Sequence, residues 1–283
     1  MPSALIQYSA SEVDLFKPAA NHPFFPVGLP ATDAALCAEM SRLAYASFET
    51  PEGRKIVHDA LAPIGFSVAE GNFFISNRAK GYLATSERVA VLAFRGTEAT
   101  NVRDLLTDFD TIPVRWVNGG IVHQGFSQAI LEVWPQIGGA VADLKSDVIY
   151  TGHSLGAALA TLAASLRKPK ALYTIGSPRA GDADFVRTLA GLDAERFEDC
   201  CDLVCHVPPH VMGFEHYGNF SYINMHGAIE PNAPDGALKS DQMHARWKYF
   251  REQAFKSGNV LMRDLADHAP INYVSALMEL RAQ

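Results

Sequence analysis

Gly152-His153-Ser154-Leu155-Gly156 is the stretch of the chain best suited to covalent chemistry. A serine in the pattern Gly-x-Ser-x-Gly fits a sharp strand-to-helix turn that pushes its Oγ outward, because larger flanking residues would run into neighbouring backbone. A serine hydroxyl is a weak nucleophile at neutral pH. It needs a histidine to accept its proton and a buried carboxylate to orient that histidine and stabilise its charged form. Downstream of the serine lie His206, His210, His216, His226, His244 and His268, and acids that include Asp199, Asp202 and Asp264. Acyl transfer also requires donors for an oxyanion, and the amide of Leu155, the residue after the serine, supplies one.

Such a turn must be held between a strand and a helix. The apolar run Val148-Ile149-Tyr150 precedes it and an alanine-rich helix reaching about Arg167 follows, so the helix N-terminus aims its amides where negative charge would develop. A helical stretch from Gly125 to about Leu144 comes before, and a further apolar strand, Ala171 to Ile175, comes after. Val89-Ala90-Val91-Leu92-Ala93-Phe94 is almost continuously apolar, as expected for a central strand covered on both faces. Two more β-rich segments, 66–75 and 81–85, precede it. Strands alternating with helices predict an α/β fold with a mainly parallel central sheet flanked by helices.

Towards the N-terminus, Leu36, Met40, Leu43, Ala44 and Phe48 recur near helical period, and Thr50-Pro51-Glu52 reads as an N-cap with proline at the first position of a second helix. Near the C-terminus, Met243, Trp247, Phe250 and Ala254 form an apolar helical stripe, read as core packing in preference to an acyl groove or a second lid.

With 283 residues, 48% of them hydrophobic and 19% charged, the chain has the composition of one globular α/β domain spanning 1–283. A formal net charge of −7 with no local cluster of Lys and Arg argues against nucleic acid as a partner. The longest apolar stretches are far shorter than the ~18 residues of a membrane span, so no transmembrane segment is expected. Met1 to Tyr8 show neither a basic nor an apolar leader region, which predicts a chain retained in the cell or exported by a leaderless route. Cys37, Cys200, Cys201 and Cys205 are too few and too clustered for a disulfide framework. Cys201, Cys205, His206 and His210 match no usual zinc spacing, so neither a metal nor another cofactor is expected.

Four segments, Val91 to Thr97, Val122 to Phe126, Thr151 to Gly156 and Gly176 to Gly181, resemble in kind and order those of class 3 lipases, the fungal triacylglycerol lipase-like family of the α/β-hydrolase superfamily. The likeness continues through Asp202-Leu203-Val204-Cys205-His206-Val207-Pro208-Pro209, Gly213 to Gly218 and Asp267-His268, and so covers roughly residues 30 to 275. The resemblance implies the α/β-hydrolase fold and the chain order serine, acid, histidine. It implies Asp202 as the acid, with Asp199 and Asp264 as rivals, and His268 as the base, with His216 in the place of a structural histidine. It further implies Thr97 as the second oxyanion donor beside Leu155, and a lid over 98–106, where Asn101, Arg103 and Asp104 interrupt the apolar residues and leave a fixed loop as an equal alternative.

The expected activity is therefore serine-dependent hydrolysis of carboxylic esters, as in a lipase acting on acylglycerols, with a lipid or small ester as substrate and transient contact with a lipid interface. Phospholipids and small or aromatic esters are the nearer alternatives, amide hydrolysis a further one. A non-catalytic binding scaffold on the same fold is the alternative of another class.

Overall fold

The computed structural model describes residues 5–96 and 112–281. Its main sheet has eight strands in the order β1 (Phe73–Ile75), β2 (Lys80–Thr85), β3 (Ala90–Phe94), β6 (Val148–His153), β7 (Ala171–Ile175), β9 (Asp193–Asp199), β11 (Asn219–Ile223) and β12 (Ile229–Pro231). The five strands from β3 to β11 run parallel, while β1, β2 and β12 extend the sheet antiparallel at its edges. A second sheet of short strands, β10 (Phe214–Glu215), β8 (Gly181–Asp182), β5 (Ile121–His123) and β4 (Pro113–Arg115), is entirely antiparallel.

The helices are α1 (Glu12–Phe16), α2 (Asp33–Leu43), α3 (Pro51–Leu61), α4 (Gln124–Ala142), α5 (Leu155–Leu166), α6 (Ala183–Thr188), α7 (Asp235–Glu252), α8 (Arg263–Ala266) and α9 (Pro270–Leu277). Strand β3 shows how they sandwich the sheet, since its side chains alternate between faces. Leu92 and Phe94 join one hydrophobic cluster with Leu159 and Leu162 of α5, whereas Val91 and Ala93 join another with Leu36 and Met40 of α2. Thr50 caps α3 as expected, its hydroxyl accepting from the Gly53 amide at 3.1 Å with Pro51 at the first helical position.

Two expectations are corrected. Residues 66–72 form no strand: a 3₁₀ turn at Glu70–Asn72 precedes β1, and only Ser67 bridges to Thr85. Strand β9, despite its charges, lies between β7 and β11. It tolerates them because Asp193 is exposed and the other four have partners: Glu195 accepts from Ser221 Oγ at 2.6 Å, Arg196 lies 4.2 Å over the Phe220 ring, Glu198 meets His206 at 3.1 Å and Asp199 meets Arg281 at 2.6 Å. The second correction concerns the C-terminal stripe: Ala254 is buried but Met243, Trp247 and Phe250 stand exposed, so most of it is surface rather than core. No described helix is long and apolar enough to cross a membrane.

Candidate active site

Ser154 sits between β6 and α5 with φ +59° and ψ −130°, a left-handed conformation that side chains other than glycine rarely adopt. The flanking glycines explain how the turn closes. A Cβ on Gly152 would fall 2.3 Å from the backbone of Gly156, and one on Gly156 would fall 2.3 Å from the carbonyl oxygen of Phe94 in β3. The strand, the turn and the helix therefore approach each other more closely than any side chain allows. Leu155 is the first residue of α5, so its amide has no carbonyl one turn earlier to bond and is available to an oxyanion.

Two loops beyond the C-terminal ends of the strands bring the candidate acid and base. Asp202, just past β9, is fully buried, and His268, between α8 and α9, is nearly so. His268 Nδ1 lies 2.8 Å from Asp202 Oδ2 and 3.0 Å from Oδ1. Because the carboxylate accepts, the imidazole carries its proton on Nδ1, which leaves Nε2 with the free lone pair a general base requires. His268 Nε2 and Ser154 Oγ are both buried and have no hydrogen-bond partner among the described residues. His153 ties the two together: it adjoins Ser154, its ring stacks on His268 with centroids 4.4 Å apart, and its Nε2 donates to the His268 carbonyl at 2.9 Å. Burial and the neighbouring His268 both push the His153 ring well below the usual histidine range, so it is neutral and its Nδ1 can accept from Tyr45 Oη at 2.8 Å.

Burial alone would raise the Asp202 carboxyl, but the electrostatic influence of His268 and hydrogen bonds from His268 and Tyr273 hold it below its ordinary value. Its oxygens also accept from the Val204 amide at 2.9 Å and from Tyr273 Oη at 2.5 Å. The rival acids are engaged elsewhere, Asp199 with Arg281 and Asp264 with Arg246 at 2.7 Å.

Three residues that position this pair were not identified from sequence. Tyr273 Oη donates to Asp202 and accepts from the Asp199 amide at 3.0 Å, joining α9 to the end of β9. Asp267 accepts from the Cys201 amide at 3.0 Å, from Arg263 at 2.9 Å and from Tyr8 Oη at 2.6 Å, so the neighbours of Asp202 and His268 are themselves stitched together. Gly176, at φ +57°, leaves room for both: a Cβ there would lie 2.9 Å from Asp202 Oδ2 and 3.2 Å from His268 Nδ1. The motif segments Gly176 to Gly181 and Asp267-His268 carried the signal, but not the reason for it.

Tyr273→Phe should lower kcat about tenfold with KM unchanged and should destabilise the fold by ~1–3 kcal/mol, because the buried Asp199 amide loses its acceptor and Asp202 a donor. Steady-state kinetics and thermal unfolding test this together. Equal kcat for variant and native protein would remove Tyr273 from the positioning set.

The remaining histidines serve other ends. His216 is half-buried and donates from Nε2 to the Cys205 carbonyl at 2.8 Å, and burial with the nearby positive Arg196 pushes it down to about 3. An unfolded histidine protonates near ~6.5, so unfolding takes up a proton below that pH. Stability from this site is complete above about pH 6.5 and is lost as pH falls toward about 3. His216→Gln, which can keep the donor, should flatten the fall of Tm between about pH 6.5 and 4. An unchanged slope would contradict this account. His206 pairs with Glu198 and His210 with Glu215 at 2.8 Å, while His244 Nδ1 donates to the Ser240 carbonyl at 2.8 Å.

The set Cys201, Cys205, His206 and His210 does not gather. Cys200, Cys201 and Asp267 do, their ligand atoms within 4.8 Å of one another. Arg263 and the Cys201 amide already occupy Asp267 Oδ2, and the adjacent guanidinium opposes a second cation there. Thr97 and the lid region 98–106 lie outside the described residues. Gly96, which leads into Thr97, passes so near Ser154 that a Cβ on it would fall 3.1 Å from Ser154 Cβ.

The profile of the family described as Lipase (class 3) matches residues 91–212. Secreted mono- and diacylglycerol lipase 1 of Fusarium solani is 39% identical over 151 residues, 48% of this chain and 44% of that protein. The lipase of Rhizomucor miehei is 33% identical over 156 residues, 49% of this chain and 42% of that one. The chain thus spans less than half the length of these curated relatives. Among solved structures, lipase II from Rhizopus niveus superposes with a TM-score of 0.56 at 27% identity, covering 69% of this chain and 83% of that one. Residues 91–212 of this chain accordingly match the model of the class 3 lipase family, and the chain shares the α/β-hydrolase fold of these lipases.

Proposed function

We propose that the chain is a serine-dependent carboxylic ester hydrolase that acts on acylglycerols through an acyl-enzyme. Ser154 Oγ attacks the ester carbonyl while His268 Nε2 takes its proton, and Asp202 stabilises the imidazolium so formed. The amide of Leu155, with Thr97 as the second donor, holds the oxyanion of the tetrahedral intermediate. His268 then gives its proton to the departing alcohol as the intermediate collapses, which leaves the acyl group on Ser154. Water, deprotonated by the same histidine, attacks the acyl carbonyl, and release of the carboxylic acid restores the serine. No metal or organic cofactor is required by this scheme.

The observation that carries the reading is the buried His268–Asp202 pair at 2.8 Å, with His268 Nε2 and Ser154 Oγ both buried and without a hydrogen-bond partner among the described residues. In an unliganded hydrolase the serine–histidine bond is often long and tightens only with substrate. The substrate class draws on the Fusarium solani relative, named a mono- and diacylglycerol lipase. A series of esters tests it: soluble p-nitrophenyl esters of rising chain length, their anilide counterparts, emulsified mono-, di- and triacylglycerols, and phospholipid. Turnover of acylglycerols with little or no anilide cleavage is expected. Preference for anilides, or cleavage of phospholipid alone, would overturn the assignment.

A further inference from the structure

The exposed face of α7 lies outside the segment matched to the lipase family and has no role in the reaction above. Met243, Trp247 and Phe250 fall at helical spacing on one side of α7, while Ala245 and Tyr249 bury the other. Trp247 is 65% exposed, and Phe255, in the turn that follows, is 75% exposed. The rings form a chain, with Phe250 5.3 Å from Phe255 and 6.4 Å from Trp247, both edge to face. Exposed Leu261 and Met262 complete a groove of about 380 Å³ against the helix. A contiguous apolar surface of this kind marks an interface.

Its charge indicates what the interface meets. Residues 243–262 carry Arg246, Lys248, Arg251 and Lys256 against the single acid Glu252, in a chain of net charge −7. Arg246 is held by Asp264, but Lys248 and Arg251 make no ion pair among the described residues. Aromatic side chains ringed by Lys and Arg suit the boundary of an anionic lipid layer, where rings enter the headgroup region and cations meet its negative charge. A second copy of the chain fits less well, because a symmetric contact through this face would set its cations against one another.

The position of α7 suits the same partner. Gln242 donates to the Cys200 carbonyl at 2.8 Å and Asp241 accepts from the Met225 amide at 2.9 Å, which fixes the helix at the C-terminal ends of β9 and β11. Ser154, Asp202 and His268 stand at that same end of the sheet, and Leu261-Met262 lead directly into α8 and His268. We propose that Trp247, Phe250, Phe255, Leu261 and Met262, with Lys248 and Arg251, dock the protein on a negatively charged lipid surface. The proposal rests on the lipid-ester reading and assigns the surface that holds the enzyme at its substrate.

Binding to large unilamellar vesicles of phosphatidylcholine, with and without about one third phosphatidylglycerol, tests it by co-sedimentation. The native protein should bind the anionic vesicles at least ~10-fold more tightly, and added salt should weaken that binding. Two double variants, Trp247→Ser with Phe250→Ser and Lys248→Glu with Arg251→Glu, should each lose about tenfold or more in vesicle affinity. Both should turn over soluble p-nitrophenyl butyrate at the native rate. Equal binding of native protein to the two vesicle types, or native-like binding by both variants, would overturn the proposal. So would a dimer abolished by the aromatic variant, which would assign the face to a second copy. Failure of the native protein to cleave the soluble ester would instead reject the hydrolase reading and is read independently of the vesicles.

Discussion

Ser154→Ala should lower kcat/KM for a soluble ester by about 10⁴- to 10⁶-fold while leaving the fold at least as stable as the native one. The size follows from the chemistry: without Oγ there is no acyl-enzyme, and only oxyanion donors and substrate positioning remain. The stability follows from the structure. Ser154 Oγ has no hydrogen-bond partner among the described residues, so its removal leaves none of their buried groups unsatisfied, and alanine keeps the Cβ that the turn already accommodates at φ +59°. Steady-state kinetics on p-nitrophenyl butyrate, with thermal unfolding of the same preparation, reads both effects. A variant retaining more than about one hundredth of native activity would place the nucleophile elsewhere.

Asp202→Asn should reduce kcat by about 10³- to 10⁴-fold, with a smaller effect on KM. The carboxylate accepts from three groups, His268 Nδ1, the Val204 amide and Tyr273 Oη. An asparagine amide has a single acceptor oxygen, so one of these donors is left unpaired or the imidazole is driven to the tautomer with its proton on Nε2, which cannot act as base. The two rival acids provide the contrast. Asp264→Asn should stay within about tenfold of native kcat, because its partner Arg246 lies on the surface. Asp199→Asn should chiefly lower Tm, since it leaves the buried Arg281 uncompensated. If Asp202→Asn kept native kcat while either of these lost it, the acid would be misassigned.

The parts of this site that were legible in the sequence are those whose physics is local. Gly152 is needed because its backbone meets that of Gly156 within five residues, and β3, β6 and β7 are covered on both faces and so read as apolar runs. Strand β9 was harder, because its charged residues are satisfied by Ser221, Phe220, His206 and Arg281, partners that no period within the strand can reveal. Asp202 and His268 were recognised through resemblance to the family, and spacing alone would have left other acids and histidines open. Tyr273, Asp267 and Gly176 act through contacts distant in sequence, from Tyr8 at one end to His268 at the other. The α7 stripe shows a different limit. Periodicity identified a helical face at Met243, Trp247 and Phe250, but a period says only that residues share a face, not that anything covers it.

The central claim, that Ser154 is an activated nucleophile, is tested most directly by labelling the protein with a fluorophosphonate probe and mapping the adduct by mass spectrometry. The native protein should acquire one adduct on the peptide bearing Ser154, and Ser154→Ala should acquire none. No labelling of the native protein, or equal labelling of the two, would contradict the account.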